Sequence, residues 1–561
     1  MTVEKENRRN TTKKIQGVLS LLLVLALFGF EHISQEELVL SKTEKANKKS
    51  INIDAVFFAQ THVAEPDYTY FTLVGNRKTL IKAHVISEEE VRAPKVEAIV
   101  RLNGKKLKIR LQGPSHLPSF IESDSLKVVH SYADSFTGTI PKELLQPGMT
   151  VEIKAGKETK AFNELEIGAP TVLKMNLIDI ACFENEFKAF PEGWEKEFES
   201  RIPIAELKVD FVRAFFKEIV LAPDTKSKIP AKRCYSEEET DRGEKTSSRW
   251  MKALIAASGT AGRTNMYYLS SHHLKIKYGR GADFHGLGRG GMVGYIAHEC
   301  GHGMSLPHCN QGHYPYNKGT YNGVYTKKQW VGSTWGFCLW NGEFMPPTFG
   351  EPKVYKKSPM LGGGQSDKME EWAMLKHFSD YEVQKMKNYL EGHVVVWDKD
   401  KNSWMGWNTK ANDYTTTVEN DGVQYPVKHD VEVISVLTSV SAVTPEANIV
   451  YPPIGPYNTG LIRLFDPRNS DDRAAAEKYF APTEGCDVTL KITQGGKVKY
   501  AMLAIPWDES VDPFSGTDFF TNAVNLPASD GEVTHVELLY TPDAEHKGLP
   551  DKPTIITVWE K

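Results

Sequence analysis

The chain of 561 residues lacks any strong charge bias: 68 basic residues face 72 acidic ones, a formal net charge of −4. No overall field therefore steers it to nucleic acid or to anionic lipid, and any partner must be recognised locally. Cysteine is sparse, six in all, with no C-x-x-C pair and no Cys/His finger spacing. No repeat recurs at solenoid spacing. The 43 glycines and 30 prolines follow no period, which excludes collagen and low-complexity arrays and suits a loop-rich, strand-rich enzyme. What remains is an ordinary globular composition, 40% apolar, 25% charged and 10% aromatic. That is too apolar for disorder and too long for one core, so roughly two to four domains are expected.

Near the N-terminus, Lys13 and Lys14 lead into an apolar run over residues 15–30 that contains Leu21-Leu-Leu-Val-Leu-Ala-Leu27. A basic flank before such a run is the pattern of an export signal, and residues 1–34 are read as a signal peptide or an uncleaved signal anchor. The run is short for a bilayer span of about 20 residues, and no small-x-small cleavage site follows it. Either way the remainder is expected outside, secreted or at the cell surface, with membrane anchoring through residues 15–30 as the second form. No cysteine stands near the end of the run, which argues against lipoprotein anchoring. In an exported chain six cysteines permit disulfides. Cys309 with Cys338 is the preferred pair, set against the plain alternative of buried free thiols.

Residues 35–50 are polar and rich in Lys and Glu, as in a linker. Residues 51–175 then alternate with period two, in Lys78-Thr-Leu-Ile-Lys-Ala-His-Val, Val96-Glu-Ala-Ile-Val-Arg-Leu and Met149-Thr-Val-Glu-Ile-Lys. Asn103-Gly104 sits between two such runs as a hairpin turn, and an N-terminal β-sandwich is expected. Residues 176–400 mix patterns. Trp250-Met-Lys-Ala-Leu-Ile-Ala-Ala has helical periodicity, residues 279–291 are Gly-rich, residues 346–364 are loop, and two helical patterns follow, the second opened by the capping box Ser379-Asp-Tyr-Glu382. Residues 401–561 return to alternation, and a C-terminal β-rich domain is expected.

The chemistry is concentrated in Ala297-His-Glu-Cys-Gly-His-Gly-Met-Ser-Leu-Pro-His308. His298 and His302 are four apart, so on a helix both imidazoles leave one face and can bind one Zn²⁺ at about 2.0–2.1 Å. Glu299 then sits beside the metal without ligating it, placed to take a proton from a zinc-bound water and return it to a leaving amine. This is the H-E-x-x-H signature of zinc peptidases. His308, ten residues after His298, matches the third ligand of the longer H-E-x-x-H-x-x-G-x-x-H pattern. Met292, Ile296 and Cys300 fall at apolar helical spacing, and Gly303 can end the helix. Downstream, Met360 in Ser358-Pro-Met-Leu-Gly-Gly-Gly364 suits a tight turn, with glycines to supply positive φ.

These motifs resemble the StcE/TagA and dictomallein group of exported, mucin-directed zinc metalloproteases of the metzincin clan. Further text carries the likeness: Phe57-Phe-Ala-Gln-Thr-His-Val, Leu73-Val-Gly-Asn-Arg-Lys-Thr-Leu-Ile-Lys and Ser333-Thr-Trp-Gly336. The resemblance covers roughly residues 55–400. It implies an α+β chain whose metzincin-like protease domain is flanked by N-terminal and C-terminal β-sandwich-like domains. It further implies one Zn²⁺ per chain held by His298, His302 and His308, Glu299 as general base, Met360 beneath the histidines, and glycoproteins, often heavily O-glycosylated, as substrates. Two alternatives stand beside it: a general metzincin endopeptidase without glycan preference, and a non-catalytic glycan-binding surface protein with structural zinc. No nucleic-acid partner is expected.

The sequence departs from the metzincin pattern at Ser305, which stands where that pattern has Gly. A left-handed residue there costs on the order of 1 kcal/mol, and the neighbouring Gly303 is available to take over the bend. Pro307 directly precedes the third histidine. Cys309 follows it where relatives often carry an aromatic residue, so any transition-state hydroxyl comes from elsewhere, with Tyr314, Tyr316 and Tyr321 as candidates. His272, His273 and His285 are read as ordinary hydrogen-bonded histidines rather than a second metal site. Trp330, Trp335, Phe337 and Trp340 are read as core before substrate groove.

Overall fold

A computed structural model describes residues 50–561 except 122, 125–126, 260–262, 310–314, 316–324, 327–328, 331–332, 347, 350–353, 356–357, 362–374, 418–425 and 481–484. The apolar run at residues 15–30, the first of the two helical patterns after residue 364, and Tyr314, Tyr316 and Tyr321 lie outside the described residues. Among the described residues no helix is long and apolar enough to cross a membrane. Residues 51–561 form one compact unit, richer in β-strand than in helix.

The period-two runs of the first segment fold into two antiparallel four-stranded sheets. One has the order Val63–Ala64, Ile51–Ala59, Thr79–Ser87, Phe136–Ile140; the other has Glu158–Phe162, Thr150–Ala155, Val96–Leu102, Lys105–Arg110. They bury one shared core, with Val56, Phe58 and Ile81 from the first and Ala98, Val100 and Ile153 from the second. Asn103 and Gly104 both adopt positive φ, +47° and +78°, and close the Val96–Leu102/Lys105–Arg110 hairpin, as their type predicts.

Strand Thr79–Ser87 is buried on both faces, which period-two reading alone does not anticipate. Its second face is covered by a hairpin from far along the chain, Gly336–Cys338 with Glu343–Met345, whose Phe337 packs with Ala55, Phe57, Val63 and Leu80. Two segments singled out in the sequence meet here. Val63 N–H donates to Trp335 O at 2.9 Å, Thr334 Oγ1 to Val63 O at 3.1 Å, and Phe337 N–H to Thr61 O at 2.7 Å.

A five-stranded sheet forms the middle of the unit, in the order Glu206–Phe216, Val172–Cys182, Met266–His272, His285–Arg289, Arg280–Ala282. The first four run parallel and the last is antiparallel. Helix α1 (Trp194–Arg201) joins the first two strands in sequence. In α2 (Gly243–Ser258) the spacing of Trp250, Met251, Leu254 and Ile255 builds one apolar face, and Gly259 at φ +81° ends the helix. That face shares a core with Ile178 and Leu269 of the sheet and with Val433 and Leu437 of the C-terminal segment. The C-terminal segment adds strands Lys428–Ser441, Ile454–Leu461 and Phe519–Pro527 on one sheet and Val488–Gln494, Lys497–Leu503, Val533–Tyr540 and Thr554–Glu560 on another, around a core of their own.

All six cysteines are free and buried, so the expected Cys309–Cys338 disulfide does not form. Cys338 is held in the hairpin against the N-terminal sheet, whereas Cys309 belongs to the core beneath the histidine motif and points its thiol at Glu382, with Sγ 3.6 Å from Oε1.

Candidate metal centre

Helix α3 (Val293–Gly303) carries the histidine motif. Val293, Ile296, Ala297 and Cys300 bury one face, which leaves His298 and His302 on the other with ring centroids 4.8 Å apart. The chain then folds back under three backbone bonds. Met304 N–H donates to Cys300 O (2.9 Å), Ser305 N–H to His302 O (2.9 Å) and Leu306 N–H to Gly301 O (3.0 Å). Ser305 itself takes the left-handed conformation, φ +65°. Gly303 does not take over the bend; it is the last residue of the helix. A Cβ at position 303 would come within 3.0 Å of His285 O, so this glycine serves close packing instead.

The fold-back delivers His308. Its Nε2 lies 3.1 Å from that of His302 and 3.3 Å from that of His298. Ligand nitrogens at about 2.0–2.1 Å from a tetrahedral zinc are about 3.3 Å apart, so this spacing is the edge such an ion requires. Nδ1 of His298 meets Pro359 O at 2.7 Å, and Nδ1 of His302 meets Leu306 O at 2.7 Å. A carbonyl only accepts, so each Nδ1 carries the proton and each Nε2 presents a lone pair to the centre. Burial holds His298 neutral, pushed down to about 4, and lowers His302 in the same way. Two lone pairs fixed in this way and a third imidazole nitrogen at this spacing are a donor set that suits a cation.

Met360 is fully buried in a short turn, Pro359–Leu361, below α3. Gly301 makes room for it, since a Cβ there would stand 2.4 Å from Met360 Sδ. The turn is anchored from α4 (Asp380–His393), whose capping box forms as its sequence predicts. Besides closing that box, Glu382 accepts from Ser358 Oγ at 2.8 Å on both carboxylate oxygens, and Ser358 Oγ accepts from Met360 N–H at 3.0 Å. Sequence reasoning found the capping box but not this second use of Glu382, nor Pro359 O. Both are contacts across long stretches of chain with no local pattern to betray them.

Glu299 is 3% exposed, with Oε1 4.0 Å from His298 Nε2, and burial pushes its carboxyl up to about 8. It is shut in by the Gly-rich segment. Added Cβ atoms at Gly279 and Gly281 would come within 2.1 Å of Glu299 Oε1 and 2.0 Å of Glu299 O. Glycine at every second position therefore lays one strand face flush on α3, a signal readable from the sequence as period-two glycines. A cleft of about 930 Å³ opens between α2, this segment and the histidines, with Lys252, Lys277, Tyr278, Arg280, His285 and Tyr295 in its wall.

Of the other singled-out residues, His285 lines this cleft and the rest lie elsewhere. His272 is buried, 2.7 Å from Asp179 Oδ1, and Lys188 N–H donates to its Nδ1. His285 Nδ1 contacts Asp283 O at 3.4 Å, and His273 forms a surface group with Glu184 and Glu186. Trp335 and Phe337 are core, whereas Trp340 is 47% exposed.

Residues 127–395 match the Peptidase M66 family. Dictomallein-2 of Dictyostelium discoideum is 25% identical over 600 aligned residues, 90% of this chain and 95% of that protein. Dictomallein of Burkholderia pseudomallei is 26% identical over 591 residues, 90% of this chain and 83% of the relative. Dictomallein-3 of Dictyostelium discoideum is 29% identical over 308 residues, 47% of this chain and 50% of the relative. The chain is thus a homologue of the dictomalleins with a Peptidase M66 segment, which supports a protease acting on protein substrates.

Proposed function

We propose that this chain is an exported, zinc-dependent endopeptidase of metzincin type that cuts glycoproteins, O-glycosylated mucin-type ones foremost. The observation that carries the proposal is the convergence of His298, His302 and His308 Nε2 at tetrahedral-edge spacing beside a buried Glu299. We read residues 51–175 as the N-terminal β-domain, 176–400 as the peptidase domain with one Zn²⁺, and 401–561 as the C-terminal β-rich domain. Export is supported by the basic-flanked apolar run at residues 15–30. The glycoprotein preference is supported by the resemblance and by the exposed indole of Trp340, a face on which a sugar ring can stack.

Bound zinc supplies a Lewis acid that polarises the scissile carbonyl and acidifies a water. The chain's own residues do the rest. Pro359 O and Leu306 O hold two ligand rings in the tautomer that faces the centre. Glu299 accepts the proton of the attacking water and delivers it to the amine as the C–N bond breaks. Strand Arg280–Ala282 ends its sheet, with its outer edge unpaired among the described residues. An extended substrate can add to that edge by backbone hydrogen bonds and so lie along the cleft.

The test is digestion of an O-glycosylated mucin-type protein and of unglycosylated casein, with a chelator and Glu299→Ala as controls. Chelator-sensitive cleavage of the mucin alone is expected, with zinc retained and turnover abolished in Glu299→Ala, and both lost in His302→Ala. Equal cleavage of casein would favour a general metzincin endopeptidase. One bound zinc with cleavage of neither would favour a glycan-binding surface protein with structural zinc, and wild-type turnover by Glu299→Ala would refute the mechanism.

A further inference from the structure

We infer that the cleft selects polypeptide substrates bearing anionic groups close to the scissile bond, and that Lys252, Lys277 and Arg280 read them. The inference rests on the peptidase reading and names its substrate class. Three cations stand in the described wall of the cleft against two acids, Asp283 and Glu299. Glu299 is buried beside the histidines, at the centre assigned to the metal. Lys252, Lys277 and Arg280 are exposed and make no ion pair among the described residues. The chain as a whole is acidic, −4, so this local excess runs against the sign of the molecule.

Their placement follows the path of a substrate. Arg280 opens the edge strand; Gly281 beside it lies flush on α3, so by strand alternation the side chain at 280 points the other way, out over the cleft. Lys277 precedes that strand, and Lys252 stands opposite on α2. Lys252 also lines a second cavity of about 450 Å³ beyond the α2 ridge, whose wall holds Arg249, Arg463 in an ion pair with Asp472, and an apolar floor that includes Ala256, Leu464 and Val524. A chain lying on the edge strand and leaving across α2 therefore meets Lys252 on the ridge and Arg249 beyond it. In such a water-filled, low-walled setting like charges on one rim raise the local concentration of an anionic segment and speed its docking.

The anion can be an Asp or Glu side chain or an acidic sugar on an attached glycan; the chemistry is shared, and the experiment separates the sources. Peptide pairs built on one cleaved sequence differ only in Glu or Lys within about three residues of the scissile bond, a span of about 10 Å that matches the screening length at 0.1 M salt. A second pair is one O-glycopeptide with and without terminal sialic acid. Each is measured for kcat/KM with the zinc-loaded wild type and with Lys252→Glu, Lys277→Glu and Arg280→Glu, and for binding by fluorescence anisotropy to zinc-loaded Glu299→Gln.

Wild type should favour the anionic member of at least one pair, chiefly through KM, with each reversal shifting the ratio about tenfold toward the cationic or uncharged member. About 1 M salt, where the screening length is about 3 Å, should compress the preference. A response to sialic acid alone assigns the anion to glycan, and a response to Glu alone assigns it to the polypeptide; both uphold the inference. Equal binding and cleavage within both pairs, or ratios that the three reversals leave unmoved, would overturn it. Anionic preference in binding without any cleavage would sink the peptidase reading and leave the recognition intact.

Discussion

Replacing Gly301 with Ala sets two known effects against each other. In an exposed helix interior the change stabilises by about 1 kcal/mol, because Ala loses less backbone freedom on folding than Gly. In α3 the new Cβ would stand 2.4 Å from Met360 Sδ and 3.4 Å from Phe378 Cε1. An ordinary carbon–sulfur contact is well over 1 Å longer than the first of these. Met360 is fully buried, so it cannot swing into solvent, and overpacking of this kind costs about 1–3 kcal/mol. The net expectation is a loss of about 1 kcal/mol in urea unfolding. A second effect should be larger in zinc affinity than in stability, because Met360 moves with Pro359, whose carbonyl fixes His298. The assay is urea unfolding of metal-free protein beside zinc competition with a chelating dye. In a cycle with Met360→Ala, the two substitutions should couple by about 1 kcal/mol or more, since the second removes what the first collides with. A Gly301→Ala protein more stable than wild type, with zinc affinity unchanged, would refute the packing argument.

Ser305→Val, which forces a β-branched residue to φ +65°, should destabilise by about 1–3 kcal/mol and weaken zinc binding, whereas Ser305→Gly should be neutral or slightly stabilising, read by thermal melts with and without zinc. Ser358→Ala orphans the buried Met360 N–H and takes a donor from Glu382, so a loss of about 1–3 kcal/mol is expected, with zinc affinity falling alongside; unchanged affinity would show that the turn holds without this anchor. Acid should act at the hairpin interface with the N-terminal sheet. There His84, in contact with Lys82 and packed near His130 and Phe57, is buried and pushed down to about 3 by burial first and Lys82 second, with Asp134 acting on Lys82 in turn. A histidine with a depressed folded pKa contributes stability that is whole above its unfolded pKa of about 6.5 and is lost as pH falls toward the folded value. About 2 kcal/mol should go between pH 7 and pH 5 at His84 alone, with a further share from His130, also lowered by burial. Urea midpoints at the two pH values check this, and His84→Gln should flatten the dependence.

The candidate site was legible where its physics is local. Two histidines four apart on an apolar-faced helix, a third ten residues on, and a methionine among turn residues can be read without a fold, and so can Asn103-Gly104 and the Ser379–Glu382 box. Contacts between distant segments escaped the reading. Nothing in Val172–Cys182 announces that it pairs in parallel with strands on either side, because parallel partners are separated by long crossovers and leave no alternation to count. The burial of Thr79–Ser87 on both faces depends on a hairpin more than two hundred residues later. The expected Cys309–Cys338 bond failed for the same reason: proximity in sequence put both cysteines in one loop region, whereas the fold sends them to different cores.

The bond from His298 to the carbonyl of Pro359 joins residues 61 apart, and Ser358 is in turn held by a residue 24 farther on. A chain emerging N-terminus first therefore displays all three imidazoles well before Pro359, which orients His298, and the α4 anchor of its turn exist. Until α4 has been made and has docked, the growing polypeptide has the three histidines of the candidate centre without the contacts that set its geometry. The order of residues along the chain thus sets the order in which this centre can take shape, ligands first and their orientation second.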